Sequence, residues 1–480
     1  MSINDVEFTP RIINTIKVTT VVIFSADESI RAVKETIQDY MPWVTVKIAS
    51  NPLEVNNFKS SKVTVFIVDD TGLIFVDAEL IRRNNLNCSI ILLSSNDKIH
   101  TSPPSVARKL YPHTAKADMV FAVNATNISP QRIITSVVRC AEDRINISCN
   151  PRIRRYIFLV IDDEPRWISQ FLPLLYKIIG LRADIQVTRT FEETFRFIFG
   201  VENEEDLPKN YIKQGHGDDI VCIISDIFFP KGDKLNFDSG KYLVRLMNRY
   251  YKRIPIIIAS KAVEASTLKD IAFIMPKGDP GSLETLEKYI HDITGLGDFI
   301  IRDHDGNEIV RARDIVEIYN LLKTAQKDSE KGHYYRRLLD DYGQKDYYST
   351  WLYMHGYREL ADILRPKHHH GTEMITILKR YLKREINKIN RTPLIIDGEK
   401  IYSLRELHQL LEEIDPQKIQ KYSDYDLFST WLDRLGYTEL AEEFRPIHGS
   451  GNKLKQQLIY LIKKWIDKHD NKIHPGSRDI

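Results

Sequence analysis

Runs typical of strands alternate along this chain with stretches typical of helices, and this strand–helix pattern occurs twice before residue 298. Short, unbroken apolar runs are separated by longer stretches with apolar residues at helical spacing. Unbroken runs of this length are typical of strands buried on both faces of a parallel sheet. The first occurrence of this pattern contains five such runs: VTTVVIFS, VTVKIAS, VTVFIVDD, SIILLSS and ADMVFAV. After a short leader, they predict a doubly wound α/β domain within residues 1–150.

The second occurrence of the pattern predicts another α/β domain, within residues 151–297. Its strands are the apolar runs at Ile157–Ile161, Val221–Ile224, Ile256–Ala259 and Phe273–Met275. A short basic segment, SCNPRIRR at 148–155, is expected to link the two domains. The fold class is therefore α/β, with two flavodoxin-like domains in succession.

Chemically active side chains follow each strand of the second domain. The first strand ends in Asp162-Asp163-Glu164, the second in Asp226, the third in Ser260, and the fourth leads through Pro276 into Lys277. Each residue alone has an ordinary explanation, since an aspartate after a strand is often a helix cap and a lysine is usually solvated. All of them in this order favour a site, because the carboxyl ends of parallel strands meet at one edge of the sheet.

The expected cluster of carboxylates would be stabilised by a bound cation. Two carboxylates 4 Å apart repel each other by about 1–4 kcal/mol at effective dielectrics between water and a protein surface. A hard divalent cation relieves this repulsion, and oxygen ligands with room for water suit Mg²⁺. The sequence therefore predicts Mg²⁺ as the cofactor of the second domain.

Residues 153–291, with this acid pair, single aspartate, serine and lysine, resemble the receiver domain of two-component response regulators. The resemblance implies that Asp163 and Asp226 bind Mg²⁺ directly, with help from Asp162. It also implies that the backbone carbonyl of Phe228 completes the protein ligands.

The same resemblance assigns the chemistry of the site. Asp226 would be the phospho-acceptor, Lys277 would neutralise the phosphoryl oxygens, and Ser260 would hydrogen-bond the acyl phosphate. Two departures concern the switch region: Gly278 rather than proline follows the lysine, and Ile274 stands where an aromatic residue is usual, with Phe273 beside it. The departures place the usual coupling from Ser260 to an aromatic residue in doubt.

The first domain can be aligned with the second strand by strand. The alignment places Ala26 at Asp162, Asp27 at Asp163, Asp69 at Asp226, Ser94 or Ser95 near Ser260, and Asn124 at Lys277. With one acid and the lysine missing, this domain is expected to be receiver-like without accepting phosphate. A weakly active site at Asp69 is the alternative. Packing against the second receiver or another copy of the chain is its expected use.

The remaining residues contain an internal duplication, with copies at 298–392 and 393–480. The segments YSTWLYMHGYRELADILRP and FSTWLDRLGYTELAEEFRP place Trp351 and Trp431 80 residues apart. Each copy is expected to form a hairpin turning at Asp-Gly, two helices with an apolar face, and a basic amphipathic helix. The two tryptophans are expected to be core residues rather than a binding surface.

A second resemblance extends from Ile157 to about Arg384. The segments IDDEPRWISQFLPLLY, ISDIFFPKG, GLGDFIIRDHDGNEI and YSTWLYMHGYRELADILRP are similar to the receiver-containing regulatory region of phosphoenolpyruvate synthase/pyruvate-phosphate-dikinase-like bacterial proteins. Their nucleotide-grasp and phosphohistidine domains have no counterpart in this sequence. The resemblance therefore implies regulation and gives no ground for phosphoenolpyruvate chemistry.

Composition narrows the choice of partners. A formal charge of +2 gives no electrostatic case for nucleic acid or membrane binding. There is no signal-peptide pattern at the N-terminus, no apolar run near the ~18 residues that span a membrane, and no CxxC pair among the four cysteines. A cytoplasmic protein with free thiols is expected.

Together these features predict a non-enzymatic response regulator. A histidine kinase or phosphotransfer protein would phosphorylate Asp226, and the C-terminal repeats would then bind a protein partner, with a second copy of the chain as a further candidate. Two alternatives remain open. The chain could be an assembly scaffold whose receiver-like domains act without phosphorylation, or an accessory subunit of a separate phosphoryl-transfer enzyme.

Overall fold

The chain divides into two compact units between Tyr289 and Ile290, and each is described here by itself. The structure is a computed structural model. It describes residues 16–124, 128–149, 155–180, 182–202, 204–207, 215–232, 234–236, 238–251, 254–260, 268, 272–303, 307–365, 371–389 and 393–470. Most of the predicted leader and linker and the turn at Asp305-Gly306 lie outside these residues.

The first sheet is parallel and has five strands, as predicted. The strands are β1 (Thr20–Phe24), β2 (Thr45–Ile48), β3 (Thr64–Asp69), β4 (Cys88–Ser94) and β5 (Met119–Ala122). The helices are α1 (Glu28–Arg31), α2 (Lys34–Tyr40), α3 (Pro52–Asn56), α4 (Asp70–Phe75), α5 (Ala78–Asn84), α6 (Asp97–Thr101), α7 (Pro104–Leu110) and α8 (Pro130–Cys149). A 3₁₀ turn spans Pro112–Lys116. The strand order is β2-β1-β3-β4-β5, which is the flavodoxin-like order.

The second sheet repeats this topology. Its strands are β6 (Ile157–Ile161), β7 (Asp184–Thr188), β8 (Ile220–Ser225), β11 (Ile256–Ser260) and β12 (Phe273–Pro276). The helices are α9 (Pro165–Ile179), α10 (Phe191–Phe199), α11 (Ser239–Tyr250) and α12 (Ser282–Thr294). Short 3₁₀ turns span Glu204–Asp206 and Gly217–Asp219. The order β7-β6-β8-β11-β12 matches the first sheet. The long segment after Asp226, which had no predicted structure, forms an antiparallel hairpin of β9 (Phe229–Lys231) and β10 (Lys234–Asn236).

The apolar runs form the central strands because both faces of each sheet are covered. Every residue of β6, β8 and β11 is buried. An isoleucine or valine at each position of such a strand buries apolar surface on both sides of the sheet. The predicted fold class, α/β with two doubly wound domains, is confirmed.

The two sheets are joined through helices α8 and α9, which pack against each other. Each helix covers the edge strand of the other domain. The amide of Ala122 in β5 donates to Ser169 Oγ on α9 at 2.9 Å. The amide of Ile185 in β7 donates to Asp143 Oδ2 on α8 at 2.9 Å. This reciprocal edge capping satisfies donors that an edge strand otherwise leaves unpaired.

A buried ionic cluster reinforces the same interface. Arg139 on α8 lies 2.8 Å from Glu142 Oε1 and 3.3 Å from Asp143 Oδ1. Tyr176 on α9 donates its hydroxyl to Asp143 Oδ2 at 2.7 Å. Arg155 pairs with Asp184 at 2.9 Å and is almost fully buried. Of the predicted polar linker 148–155, Cys149 continues α8 and is exposed, while Arg155 is buried in the interface.

The C-terminal unit contains the two predicted copies. The first has β13 (Phe299–Arg302), β14 (Glu308–Ala312), α13 (Ile315–Ala325), α14 (Glu330–Gln344), α15 (Tyr347–Met354), α16 (Arg358–Leu364) and α17 (Gly371–Ile389). The second has β15 (Leu394–Ile396), β16 (Glu399–Ile401), α18 (Leu404–Glu413), α19 (Pro416–Asp424), α20 (Leu427–Arg434), α21 (Thr438–Phe444) and α22 (Gly451–Asp470). Within the described residues, each copy is a hairpin followed by five helices.

The expectation of three helices per copy was wrong for two reasons: α14 and α19 were not predicted, and the predicted second helix is divided in each copy. The backbone turns at equivalent points of the two copies. Asp346 and Asp426 precede α15 and α20 with φ of 55° and 56°. Gly356 and Gly436 follow the same helices with φ of 83° and 85°. Left-handed residues at these sites end a helix and redirect the chain. The prediction that Trp351 and Trp431 are core residues is confirmed, since both are about 1% exposed.

The two copies contact each other through the turn after α15. The guanidinium of Arg434 on α20 donates to the carbonyl of Gly356 at 2.7 Å. A Cβ at Gly356 would lie 2.4 Å from Thr430 Cγ2, so the close approach requires glycine. His355 Nδ1 lies 2.7 Å from Asp433 Oδ2, where both side chains are buried. The duplicated copies therefore form one packed unit.

Among the helices in the described part of the chain, none is both long and apolar enough to cross a membrane.

We predict that Arg139→Ala destabilises the α/β unit strongly. The substitution leaves Glu142 and Asp143 buried without their cation, and breaking a buried ion pair costs about 3–5 kcal/mol. Urea denaturation followed by circular dichroism measures the change. Arg83→Ala is the matched control, because the side chain of Arg83 is 77% exposed and its surface pair contributes about 0–1 kcal/mol. Equal destabilisation by both substitutions would contradict a structural role for the cluster.

Candidate functional site

The acid pair of the second domain lies in the turn between β6 and α9. Asp162 and Asp163 directly follow β6, and Pro165 is the first residue of α9. The amide of Glu164 donates to Asp162 Oδ1 at 3.0 Å, which orients that carboxylate. Proline at the first helical position cannot extend the strand and starts the helix at once. The local sequence thus holds two carboxylates at the edge of the sheet.

Asp226 reaches the same edge from the neighbouring strand β8. Its amide donates to the carbonyl of Ile161 at 2.8 Å, which fixes it beside the acid pair. Its Oδ1 accepts the amide of Ile227 at 2.6 Å, and the amide of Phe228 lies 3.4 Å away. One carboxylate oxygen is therefore held by the backbone, and the other faces the pocket.

The structure brings the three predicted acidic ligands together. One carboxylate oxygen from each of Asp162, Asp163 and Asp226 lies within 4.8 Å of the others. Among the described histidines, cysteines and acids, this is the group that could hold a metal ion. Three carboxylates at this separation are a donor set suited to a hard divalent cation.

Lys277 occupies the centre of the cluster. Its Nζ lies 2.5 Å from Asp162 Oδ2 and 2.6 Å from Asp226 Oδ2, and the residue is 3% exposed. Burial lowers the pKa of this ammonium, but the carboxylates of Asp162 and Asp226 more than offset that effect, so the pKa of Lys277 is raised. The lysine is a fixed positive charge in the pocket.

Both members of the acid pair resist ionisation. Burial raises the pKa of Asp162 to about 7, against the attraction of Lys277. Burial and the neighbouring charge of Asp226 raise the pKa of Asp163 to about 6. Taking a carboxylate out of water beside another carboxylate disfavours its charged form. A cation in the pocket would oppose both shifts.

Ser260 and Phe228 lie next to the cluster, while their proposed roles stay predictions. Ser260 ends β11 and is buried, and its carbonyl accepts the amide of Lys277 at 3.3 Å. Phe228 follows Asp226 by two residues, and its ring packs against the core of the domain. These positions are consistent with a hydroxyl and a carbonyl near the acids.

Two further residues belong to the site and were not predicted. The ring centroid of Trp167, in the first turn of α9, lies 5.1 Å from Lys277 Nζ. Arg189 follows β7 and donates to the carbonyl of Asp163 from Nε at 3.1 Å and Nη2 at 2.5 Å. Trp167 could have been found from its place four residues after the acid pair. Arg189 follows a strand that the apolar pattern had not identified.

Strand register corrects the alignment of the two domains. Phe24 pairs with Val68 as Ile161 pairs with Ser225, so Ser25 and Ala26 occupy the places of Asp162 and Asp163. The places of Asp226 and Ser260 are taken by Asp69 and Ser94, as predicted.

Three assignments in the first domain, those of Ala26, Asp27 and Asn124, were therefore one residue off. Asp27 caps α1 and corresponds to Glu164 before α9. Val123, rather than Asn124, corresponds to Lys277, because its amide donates to the carbonyl of Ser94 as that of Lys277 donates to Ser260. The first domain thus lacks both acids of the pair as well as the lysine.

Asp69 has a structural role in the absence of these partners. Its Oδ2 accepts Ser25 Oγ at 2.7 Å and the amide of Ala26 at 2.9 Å. Its Oδ1 accepts the amide of Gly72 at 2.7 Å, which caps α4. The carboxylate is held by three donors of its own domain.

Comparisons with known proteins give no family for this chain. No protein-family model and no curated protein matches it. Solved structures with similar parts include a putative two-component system response regulator/GGDEF domain protein (16% identity, 57% of this chain and 98% of that chain, TM-score 0.26) and NtrX from Brucella abortus (11%, 93% and 100%, TM-score 0.22). Another is tagatose-6-phosphate ketose/aldose isomerase from Escherichia coli (11%, 56% and 80%, TM-score 0.20). TM-scores this low do not indicate a shared overall fold.

The class of the α/β unit therefore rests on its own geometry. Both domains have the strand order of a receiver, and both place an aspartate at the end of the third strand in that order. The second also carries the acid pair and the lysine at the expected strand ends. The chain contains two receiver-like domains, of which the second has the complete set of polar residues.

We predict that the metal-free protein loses stability as pH rises from about 4 to about 7. Asp162 and Asp163 have folded-state pKa values above their unfolded value of 3.8, so the native state holds more protons in this range. Asp163→Asn removes one ionising group and should gain about 2–3 kcal/mol relative to wild type at pH 7.5. Thermal melting in EDTA at several pH values measures both effects.

The matched control for this prediction is Glu79→Gln, which neutralises a carboxylate that is 86% exposed. It should follow the wild-type pH dependence. If Asp163→Asn had the same pH dependence of stability as the wild type, the pKa of Asp163 would not be raised in the folded protein, and the prediction would be wrong.

Proposed function

We propose that this protein is a response regulator in which Asp226 accepts a phosphoryl group from a histidine kinase or phosphotransfer protein. The observation that carries the proposal is that three carboxylates lie within 4.8 Å of one another and that a lysine only 3% exposed contacts two of them. Burying these charges together is costly, and such clusters are concentrated at functional sites.

The donor set fits Mg²⁺. Asp162, Asp163 and Asp226 would hold it, with the carbonyl of Phe228 as the further protein ligand implied by the receiver resemblance. When bound, Mg²⁺ would supply Lewis-acid stabilisation of the negative charge on phosphoryl oxygens. The raised pKa values of Asp162 and Asp163 support this assignment, since burial and neighbouring carboxylates disfavour their charged forms and a cation would offset that cost.

The residues of the chain have separate roles in the transfer. An oxygen of Asp226 attacks the phosphorus atom, and the bond between phosphorus and the leaving group of the donor breaks as the acyl phosphate forms. Lys277 then exchanges its contact with Asp226 Oδ2 for a phosphoryl oxygen. Trp167 lies over the ammonium and restricts the access of water to it. Ser260 donates its hydroxyl to the acyl phosphate.

The repeats are the proposed output of the site. They would bind a protein partner after phosphorylation, and the chain would act in the cytoplasm without an enzymatic activity of its own. The regulatory-region resemblance favours a partner that is a phosphoryl-transfer enzyme. That resemblance rests on sequence segments and stays a prediction.

An assembly scaffold is the second candidate, and the interface between the sheets favours it. Reciprocal edge capping and a buried ionic cluster fix the two receiver-like domains together. A rigid pair of this kind can serve assembly without phosphorylation. Light scattering with and without beryllofluoride separates the candidates, because an assembly state that ignores this phosphoryl mimic favours the scaffold.

We predict that acetyl phosphate with Mg²⁺ labels the wild-type protein and leaves Asp226→Asn unlabelled. Lys277→Met should lower the labelling rate by about 10²-fold, because it removes a positive charge aimed at the phosphoryl oxygens. Phosphate-affinity electrophoresis or intact mass measures the acid-labile adduct.

Asp69→Asn is the matched control, since Asp69 holds the equivalent place in the first sheet. It should be labelled like the wild type. Loss of labelling in Asp69→Asn with retention in Asp226→Asn would place the chemistry in the first domain and contradict the proposal.

A further inference from the structure

A cleft of about 330 Å³ opens at the carboxyl edge of the first sheet. Its walls come from the ends of β1, β2 and β3 and from α1 and α4. The strand order reverses between β1 and β3, and open α/β sheets bind ligands outside the strand ends at such a point. The volume falls at the lower end of the ~300–1,000 Å³ typical of small-molecule pockets.

Short, uncharged residues line this cleft at three places that carry charge in the second domain. Ser25 and Ala26 stand at the places of Asp162 and Asp163. By the same strand register, Ser50 follows β2 where Arg189 follows β7. Three side chains that carry charge in the second domain are thus short and uncharged in the first.

The chemistry of this cleft therefore differs from that of its sister site. Asp69 is the acid in its lining, and its two oxygens already accept three hydrogen bonds from the chain. One remaining lone pair and no partner acid do not make a magnesium site. Without a lysine at the place of Val123, the cleft also lacks the charge that a phosphoryl group on Asp69 would need.

The lining offers aromatic rings and a cation. The rings of Phe24 and Phe75 flank the cleft, and Phe75 is 62% exposed, although large apolar side chains usually favour burial. Arg31 projects from α1 into the lining, and among the described residues it pairs with no acid. An aromatic ring stacks on a phenylalanine face, and a guanidinium binds a carboxylate or phosphate oxygen.

We infer that this cleft binds a small aromatic anion, a free molecule with one planar ring and one carboxylate or phosphate group. The ring lies against Phe75, and the anionic group pairs with Arg31. The first domain is then a ligand-binding domain built on a receiver fold, independent of phosphorylation at Asp226.

Phenyl phosphate is the probe that tests this inference. Ligand-observed NMR titrations use the full chain with Asp226→Asn in EDTA, so that the second site cannot bind the probe through a metal ion. Phenol and inorganic phosphate, titrated separately, report the ring and the anion alone. The inference predicts saturable binding of phenyl phosphate that is tighter than that of either fragment.

Two variants assign the binding to the cleft. Arg31→Gln should weaken phenyl phosphate about three- to fivefold and leave phenol unchanged, because it removes one exposed ion pair. Ala26→Phe, at an exposed position, should fill the cleft and abolish both. Arg83→Gln is the control for a surface arginine elsewhere on the domain and should change neither.

Several outcomes would overturn the inference. They are no saturable binding of phenyl phosphate at millimolar concentration, equal affinities for phenyl phosphate and inorganic phosphate, or affinities that Arg31→Gln leaves unchanged. If Ala26→Phe fails to fold, as judged by circular dichroism, the result with Arg31→Gln decides.

Discussion

The contact between α8 and α9 is the interaction on which the α/β unit depends. An edge strand presents amides that must find acceptors, and here each domain supplies the acceptor for the other. Ser169 and Asp143 accept these amides from positions inside a packed helix pair. Asp143 also accepts a hydrogen bond from the hydroxyl of Tyr176 and forms an ion pair with Arg139. One carboxylate therefore connects the sheet edge, the helix pair and the ionic cluster.

This contact also anchors the acid cluster on one side. Helix α9 starts directly after Asp162 and Asp163, so the turn that carries them is continuous with the buried interface. On the other side, Arg189 holds the carbonyl of Asp163, and Lys277 lies between Asp162 and Asp226. The carboxylates are thus kept close together despite their repulsion, by contacts that do not involve a metal ion.

Much of this arrangement could be predicted from the sequence, because unbroken apolar runs identify buried parallel strands. Asp162, Asp163, Asp226 and Lys277 each follow such a run, and the sheet brings them together. The pattern could not reveal Arg189 or Trp167, whose roles depend on how a strand end and a helix turn face the pocket. The sequence pattern placed Ala26, Asp27 and Asn124 one residue away from their structural equivalents, since only pairing between strands fixes register.

The repeats show another limit of sequence patterns. Apolar periodicity predicted helical copies but missed α14 and α19 and joined α15 to α16 and α20 to α21, because a residue in the left-handed region gives no apolar signal. Asp346 and Asp426 adopt that conformation at equivalent points. A glycine at each helix end was visible in the sequence, yet the need for it at Gly356 comes from Thr430 in the other copy.

The reciprocal capping has a consequence for how this chain can change over generations. A domain without the acid pair and the lysine could be deleted without harm if it stood alone, but its removal here would uncover β7 and take from Arg155 its contact with the carbonyl of Asn146 on α8. The fold is then retained for its packing, while the strand ends at Ser25, Ala26 and Val123 carry side chains that phosphoryl transfer does not use. Such a domain is a protected scaffold on which a new specificity can arise.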